Sequence, residues 1–354
     1  MLDMLLKWYR RHFTDPQVVA LLIILVGGFC ILYFLSGILT PLLVAIVLAY
    51  LLEWPTSKLQ VLGCSRLCAV SIIQALFVGV GLLAVFVVVP NVWQQGMNLT
   101  SDMPKMLNQF NNFSSTLTKR YPALVDAGIV DMIADNLRNR LAGVGDSVIK
   151  ISLASLIGLL TLAIYLIVVP LMVFFLLKDK KQMLNNFQKI LPRDRSLAGK
   201  VWKEMNQQIT NYIRGKVLEM VIVAVATYLV FWILDMRYSL LLAVLVGFSV
   251  LIPYIGAVIV TIPVVLVAMF QWGIDAHFWT LLIAYLVVQA LDSNLLVPVL
   301  FSEAVNLHPL MIILSVIIFG GLWGFWGVFF AIPLASLVKA VIQAWPKELT
   351  PKVK

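Results

Sequence analysis

Apolar blocks long enough to cross a bilayer recur along this chain. They constrain the fold more than any other feature, because lipid offers no partner to a free backbone N–H or C=O and only helices or closed barrels can span it. Two of the blocks, residues 238–263 and 308–333, carry prolines, glycines and polar neighbours at membrane depth. A span that only anchors has no use for such breaks, so they mark where function is expected. Sixty-two per cent of the 354 residues are apolar and 12% are charged, about half the charged share of an ordinary soluble domain. The ~10-residue alternating segments of an outer-membrane barrel do not occur. The expected fold class is all-α: a polytopic transmembrane helix bundle of about eight spans with broken helices.

The spans expected are 17–35, 38–52, 69–90, 150–177, 217–234, 238–271, 278–298 and 309–343. The first run, 18–35, is too long for a signal peptide core and lacks a cleavage pattern after it. Spans one and two, joined only by Ser36 and Gly37, are expected to form a tight hairpin. The net charge of +9 maps onto loops rather than onto a nucleic-acid face: Lys7, Arg10 and Arg11, then Lys58 and Arg66, then ten Lys/Arg from Lys178 to Lys216, then Lys339, Lys347, Lys352 and Lys354 fall on one side. The short turns on the other side hold only Arg237. The positive-inside rule then places both termini in the cytoplasm. Cys30, Cys64 and Cys68 make no disulfide framework, and neither a metal site nor a cofactor is expected.

Three domains are expected: membrane helices over 1–90, an extracytoplasmic helical insert over 91–147 and a membrane core over 148–354. Within the insert, Ile129, Ile133, Leu137 and Leu141 repeat at i, i+4 and predict an amphipathic helix that packs on a span or on another subunit. Asn98 and Asn112 fit the short glycosylation pattern, which carries little weight. In the cytoplasmic segment 178–216, Val201, Met205, Ile209 and Tyr212 share one face and predict a basic amphipathic helix lying on membrane lipid. Residues 238–263 align without gaps to 308–333 at an offset of 70, matching Leu240 with Leu310, Val246 with Val316 and Pro263 with Pro333. Because that offset covers two expected spans, both copies should point the same way through the membrane.

Several residues could carry chemistry. Pro253 and Pro263 each remove a donor, and Gly256 beside Tyr254 admits a close approach, so the helix is expected to break there and expose backbone to a solute or ion. Gln289, Asp292 and Asn294 lie deep in the seventh span, and a carboxylate at that depth must pair, take a proton or line water. Glu219 follows Lys216 closely, which fits a local ion pair as well as a transport role. His308 before Pro309 could gate or simply end a span. Gly320, Gly321, Gly324 and Gly327, with Pro333 beyond them, have the small-xxx-small spacing that lets helices touch, or lets them slide. Gly247-Phe-Ser249 with His308 lacks the second glycine of a serine nucleophile motif, so no enzyme is expected. No GxxxxGK[ST] loop is present to drive transport by nucleotide hydrolysis.

In these motifs the chain resembles the autoinducer-2 exporter family, on its permease branch. The resemblance covers nearly the whole length and rests on Ile252-Pro-Tyr-Ile-Gly256 with Pro263, Asp292-Ser-Asn294 with Pro298, Leu307-His308-Pro309, and Gly320-Gly321, Gly324, Gly327 and Pro333 in order. It implies a multi-pass protein of the bacterial inner membrane, assembled as a homo-oligomer such as a pentamer. It also implies export of the quorum-sensing signal autoinducer-2 or exchange of sodium or lithium for protons. The resulting expectation is a secondary transporter of a small polar solute. A monovalent cation/proton antiporter using Asp292 and a membrane scaffold are the alternatives.

Overall fold

A computed structural model describes residues 16–120, 164–190, 196–301 and 307–344, and every regular element among them is helical. Six helices are long and apolar enough to cross a membrane, with shorter apolar helices between them. The chain is therefore a multi-pass helical membrane protein. The expected amphipathic helix over 129–141 lies outside the described residues.

Helix α1 runs from Pro16 to Val61, with Pro41 and Pro55 inside it. The hairpin expected at Ser36 and Gly37 does not form. A reversal between helices takes several non-helical residues, and these two keep helical geometry, with Gly37 absent from the positions of positive φ. Helix α2 (Arg66–Leu83) is capped by Ser65, whose side chain accepts from the Cys68 N–H. It passes through a π turn, Ala84–Val88, into α3 (Val89–Arg120), so the expected insert begins within helix. Helix α4 (Ile164–Lys178) leads to α5 (Lys180–Ile190). On the same side, Glu53 joins these elements by pairing with Arg66 at 2.9 Å and Lys180 at 3.2 Å.

Helix α6, Ser196–Ile233, corrects the expectation of a separate surface helix before the fifth span. Its first turns continue directly into the span, and Met205, Ile209 and Tyr212 of its apolar stripe pack against protein. Met205 is buried, Ile209 packs in the cluster around Tyr212, and Asn206 accepts a hydrogen bond from the Tyr50 hydroxyl of α1 at 2.9 Å.

Residues 238–271 are not one broken span but a hairpin of α7 (Ser239–Ser249) and α8 (Ile255–Trp272). At ~16 Å, the 11 residues of α7 are too short to cross. The two arms end at one level, because the Gln271 amide donates to the Asp235 carbonyl at 2.7 Å and accepts from the Arg237 N–H at 2.7 Å. Gln95 of α3 accepts from the Leu241 N–H, satisfying an open donor of the first turn of α7. Helix α9 (Ala276–Leu291), capped by Asp275, then descends through a second π turn, Asp292–Leu296, into α10 (Val297–Phe301).

A second hairpin follows. Helix α11 (Pro309–Phe329) turns back at Gly324, which has φ 58° and ψ −133°, and the return arm continues into α12 (Ala331–Ala344). The fold-back is tight, since a Cβ on Gly327 would lie 1.8 Å from the Phe319 carbonyl oxygen. Hairpin 1 closes in the same way, with Gly256 against the Ser249 carbonyl oxygen at 1.8 Å. The aligned stretches thus do share a shape. Their relative direction corrects the sequence reading: only one crossing, Ala276–Phe301, lies between them, so they enter the bundle from opposite ends. Phe301 and Leu307 pack near Tyr212, far along α6 from Asp235.

Candidate functional site

Helix α6 buries an ion pair. The Lys216 ammonium contacts both Glu219 carboxylate oxygens, at 2.8 and 3.0 Å, and donates to the Val250 carbonyl at 2.7 Å. Lys216 is 5% exposed and Glu219 2%. Spacing of i, i+3 puts the two groups on one face of the helix. Val250 ends α7, where unpaired carbonyls gather and favour a cation. The Phe301 ring lies 5.4 Å from the ammonium, and Gly215 leaves room for that ring.

Asp292 supplies a second carboxylate. Its Oδ1 is buried without a hydrogen-bond partner, in a π turn that packs against α6. The π turn that carries it ends two residues before Pro298, as the other π turn ends two residues before Pro90. Proline removes one helical N–H and crowds the carbonyl four residues back, and a wider turn just ahead of it re-aims the side chains there. Asn294 has a local task, donating to the Ala290 carbonyl at 2.9 Å within the distorted helix.

The apex of hairpin 1 is strained. Tyr254 has φ 62° and ψ −49°, and the Ile255 N–H donates to the Pro253 carbonyl at 2.7 Å, which closes a γ-turn of the uncommon hand. Such strain gathers at working parts of proteins.

Above the charges runs a ladder of neutral polar groups. Thr261 of α8 and Tyr285 of α9 share a hydrogen bond of 3.0 Å, and Gln289 donates to Tyr285 at 3.1 Å. Sixteen residues separate Gly215 from Phe231 and Phe301 from Tyr285, and each residue of the first pair touches its counterpart in the second. Helices α6 and α9–α10 are therefore antiparallel in register, which sets Thr227 level with Gln289. Thr227 is fully buried and its hydroxyl has no partner. The ladder descends from Tyr285 through Gln289 to Asp292 at i, i+4 and i+7, one face of one helix.

Similarity to known proteins agrees with this architecture. A family model described as AI-2E family transporter matches residues 22–347. The chain belongs to the AI-2E transporter family. It is 69% identical to PerM of Escherichia coli (strain K12) over 98% of each chain, a protein whose name gives a permease and no solute. YueF of Bacillus subtilis (strain 168), named as a transport protein, is 26% identical over 94% of this chain and 92% of its own. The AI-2 transport protein TqsA of Escherichia coli (strain K12) is 24% identical over 92% of each.

In this AI-2E transporter, the structure gathers some predicted residues and disperses others. Glu219 pairs with Lys216, which ties it to Val250 at the end of α7, while Tyr254 at the hairpin 1 apex is exposed and Gly256 packs on Ser249; Gln289 joins the ladder through Tyr285. Pro263 sits within α8, away from the apex turn. His308 is an exposed helix cap, its Nδ1 accepting from the Leu310 N–H at 3.3 Å. The glycines expected to bring separate helices together act inside hairpin 2. Gly324 makes the turn, Gly327 and Gly320 admit the opposite arm, and Gly321 faces open space. Lys216, Thr227 and Tyr285 were not predicted as site residues. The proximity of Lys216 to Glu219 is visible in sequence, but its bond to Val250, 34 residues away, is not.

Proposed function

We propose that the protein is a secondary transporter that moves a small polar solute past the apex of hairpin 1, with Lys216, Glu219 and Asp292 as its charged site. One observation carries the reading: a buried ammonium–carboxylate pair is bonded to the end of a re-entrant helix inside a membrane bundle, and the Asp292 Oδ1 is buried without a partner on the neighbouring helix. The name of TqsA makes a signal of the autoinducer-2 type, small and rich in oxygen, the first solute to try. The side bearing Lys58, Arg66, Lys178 and Lys180 is assigned to the cytoplasm of a bacterial inner membrane by the positive-inside rule, and the direction is export. Homo-oligomeric assembly belongs to the same proposal.

Cation/proton antiport is the second reading. It is favoured by Asp292, whose Oδ1 is buried without a donor while the Lys216 ammonium is taken up by Glu219 and Val250. Reconstituted vesicles separate the two. Under the first reading, uptake of labelled autoinducer-2 appears with the protein and falls at least tenfold in Asp292→Asn, a loss of the size expected for a charge-assisted bond. Under the second, sodium or lithium pulses move protons and Asp292→Asn abolishes the movement. Unchanged solute and cation fluxes in Asp292→Asn and Lys216→Met would remove this site from the transport path.

A further inference from the structure

We propose that α6 clasps both hairpins, Lys216 holding the apex of hairpin 1 and Tyr212, one turn away, holding that of hairpin 2. The Tyr212 hydroxyl donates to the Phe329 carbonyl at 2.9 Å. Both side chains are nine-tenths buried or more, at 2% for Tyr212 and 5% for Lys216. Each meets a carbonyl for which the backbone supplies no helical donor. Four residues beyond Phe329 stands Pro333, which has no N–H to give. Four residues beyond Val250 stands Tyr254, where the chain has left the helix. Two hairpins from opposite ends of the bundle are thus tied to adjacent turns of one helix, each by a single side-chain donor.

The chemistry of the two clasps differs. Tyr212 is a neutral donor packed between Phe301 and Phe329, with ring centroids at 6.0 and 6.2 Å. Lys216 is a charged donor shared with Glu219, in range of Asp292. A solute or ion that draws on the carboxylates therefore alters the hold on hairpin 1 and leaves that on hairpin 2 in place. Such asymmetry is what a carrier needs in order to open one side at a time. Tyr212 is on this account a positioning residue, not a solute ligand. Its purpose rests on the transport reading, but its existence can be tested without any flux.

Amide hydrogen exchange on the full chain in lipid nanodiscs reads each apex separately. Tyr212→Phe is expected to speed exchange about tenfold in residues 319–330, the factor that one hydrogen bond is worth, with residues 249–256 changed less than twofold. Lys216→Met with Glu219→Leu, which removes the ion pair as a unit, should do the reverse. Pro333→Ala restores a backbone donor for Phe329, so Tyr212→Phe with Pro333→Ala should exchange as the parent does in residues 319–330. A purely space-filling tyrosine would gain nothing from that second change. The proposal is overturned if Tyr212→Phe leaves the second apex unchanged, if it loosens both apices and α9 alike, or if Pro333→Ala fails to restore protection. Should Tyr212→Phe alone not accumulate, the doubly substituted protein is expected to do so, and its failure would equally overturn the clasp.

Discussion

Lys216 shows how one residue can hold several elements together in an apolar medium. Its ammonium makes three bonds, two to Glu219 and one to Val250, so the charge entering the bundle is neutralised and the end of α7 is satisfied. Removing one partner of such a pair leaves the other uncompensated, which destabilises by about 3–5 kcal/mol, whereas apolar replacement of both is close to neutral. Lys216→Met is therefore expected to lower the thermal midpoint in detergent sharply, and Lys216→Met with Glu219→Leu to recover most of the loss. Equal midpoints for the single and double variants would show that the pair is not coupled. Asp292 differs in kind: its free Oδ1 makes it the member of the cluster with bonding capacity still to offer.

At the scale of elements, the hairpins are set by glycines whose roles are unequal. A methyl group on Gly256 or Gly327 would collide with a carbonyl oxygen at 1.8 Å, whereas Gly321 has nothing within 4 Å. Gly256→Ala and Gly327→Ala should each destabilise by about 2–3 kcal/mol, since backbone cannot yield as a flexible side chain does. Gly321→Ala should be neutral or stabilise by up to about 1 kcal/mol through the entropy of the unfolded chain. Thermal unfolding of the three variants side by side tests the assignment, and a uniform response would contradict it. The sequence shows Gly320, Gly321, Gly324 and Gly327 at close spacing, and spacing alone reads equally well as a contact between separate helices. What distinguishes them is the reversal at Gly324, a backbone conformation that leaves no residue signature beyond the glycine itself. The π turns were not predicted, although each ends two residues before a proline that the sequence displays.

For the whole molecule, the opposed entry of the hairpins makes a topological prediction. In a chain without its native cysteines, Asp235→Cys and Gly273→Cys should react with an impermeant maleimide from one side of the membrane, and His308→Cys from the other. Reaction of Gly273→Cys from the same side as His308→Cys would mean that residues 238–271 cross completely.

Sequence alone determined that the chain is a helical membrane protein, which stretches are broken and which family it joins. Those properties follow from hydropathy, charge and local backbone chemistry, all written within a few residues of one another. Tertiary structure decided that the two breaks are hairpins of opposite direction, that α1 and α6 run on unbroken, and that Lys216 and Tyr212 reach the Val250 and Phe329 carbonyls, 34 and 117 residues distant. An apolar run reads the same whether it crosses the bilayer or turns back within it. The choice rests on which distant donor satisfies the carbonyls that the break sets free.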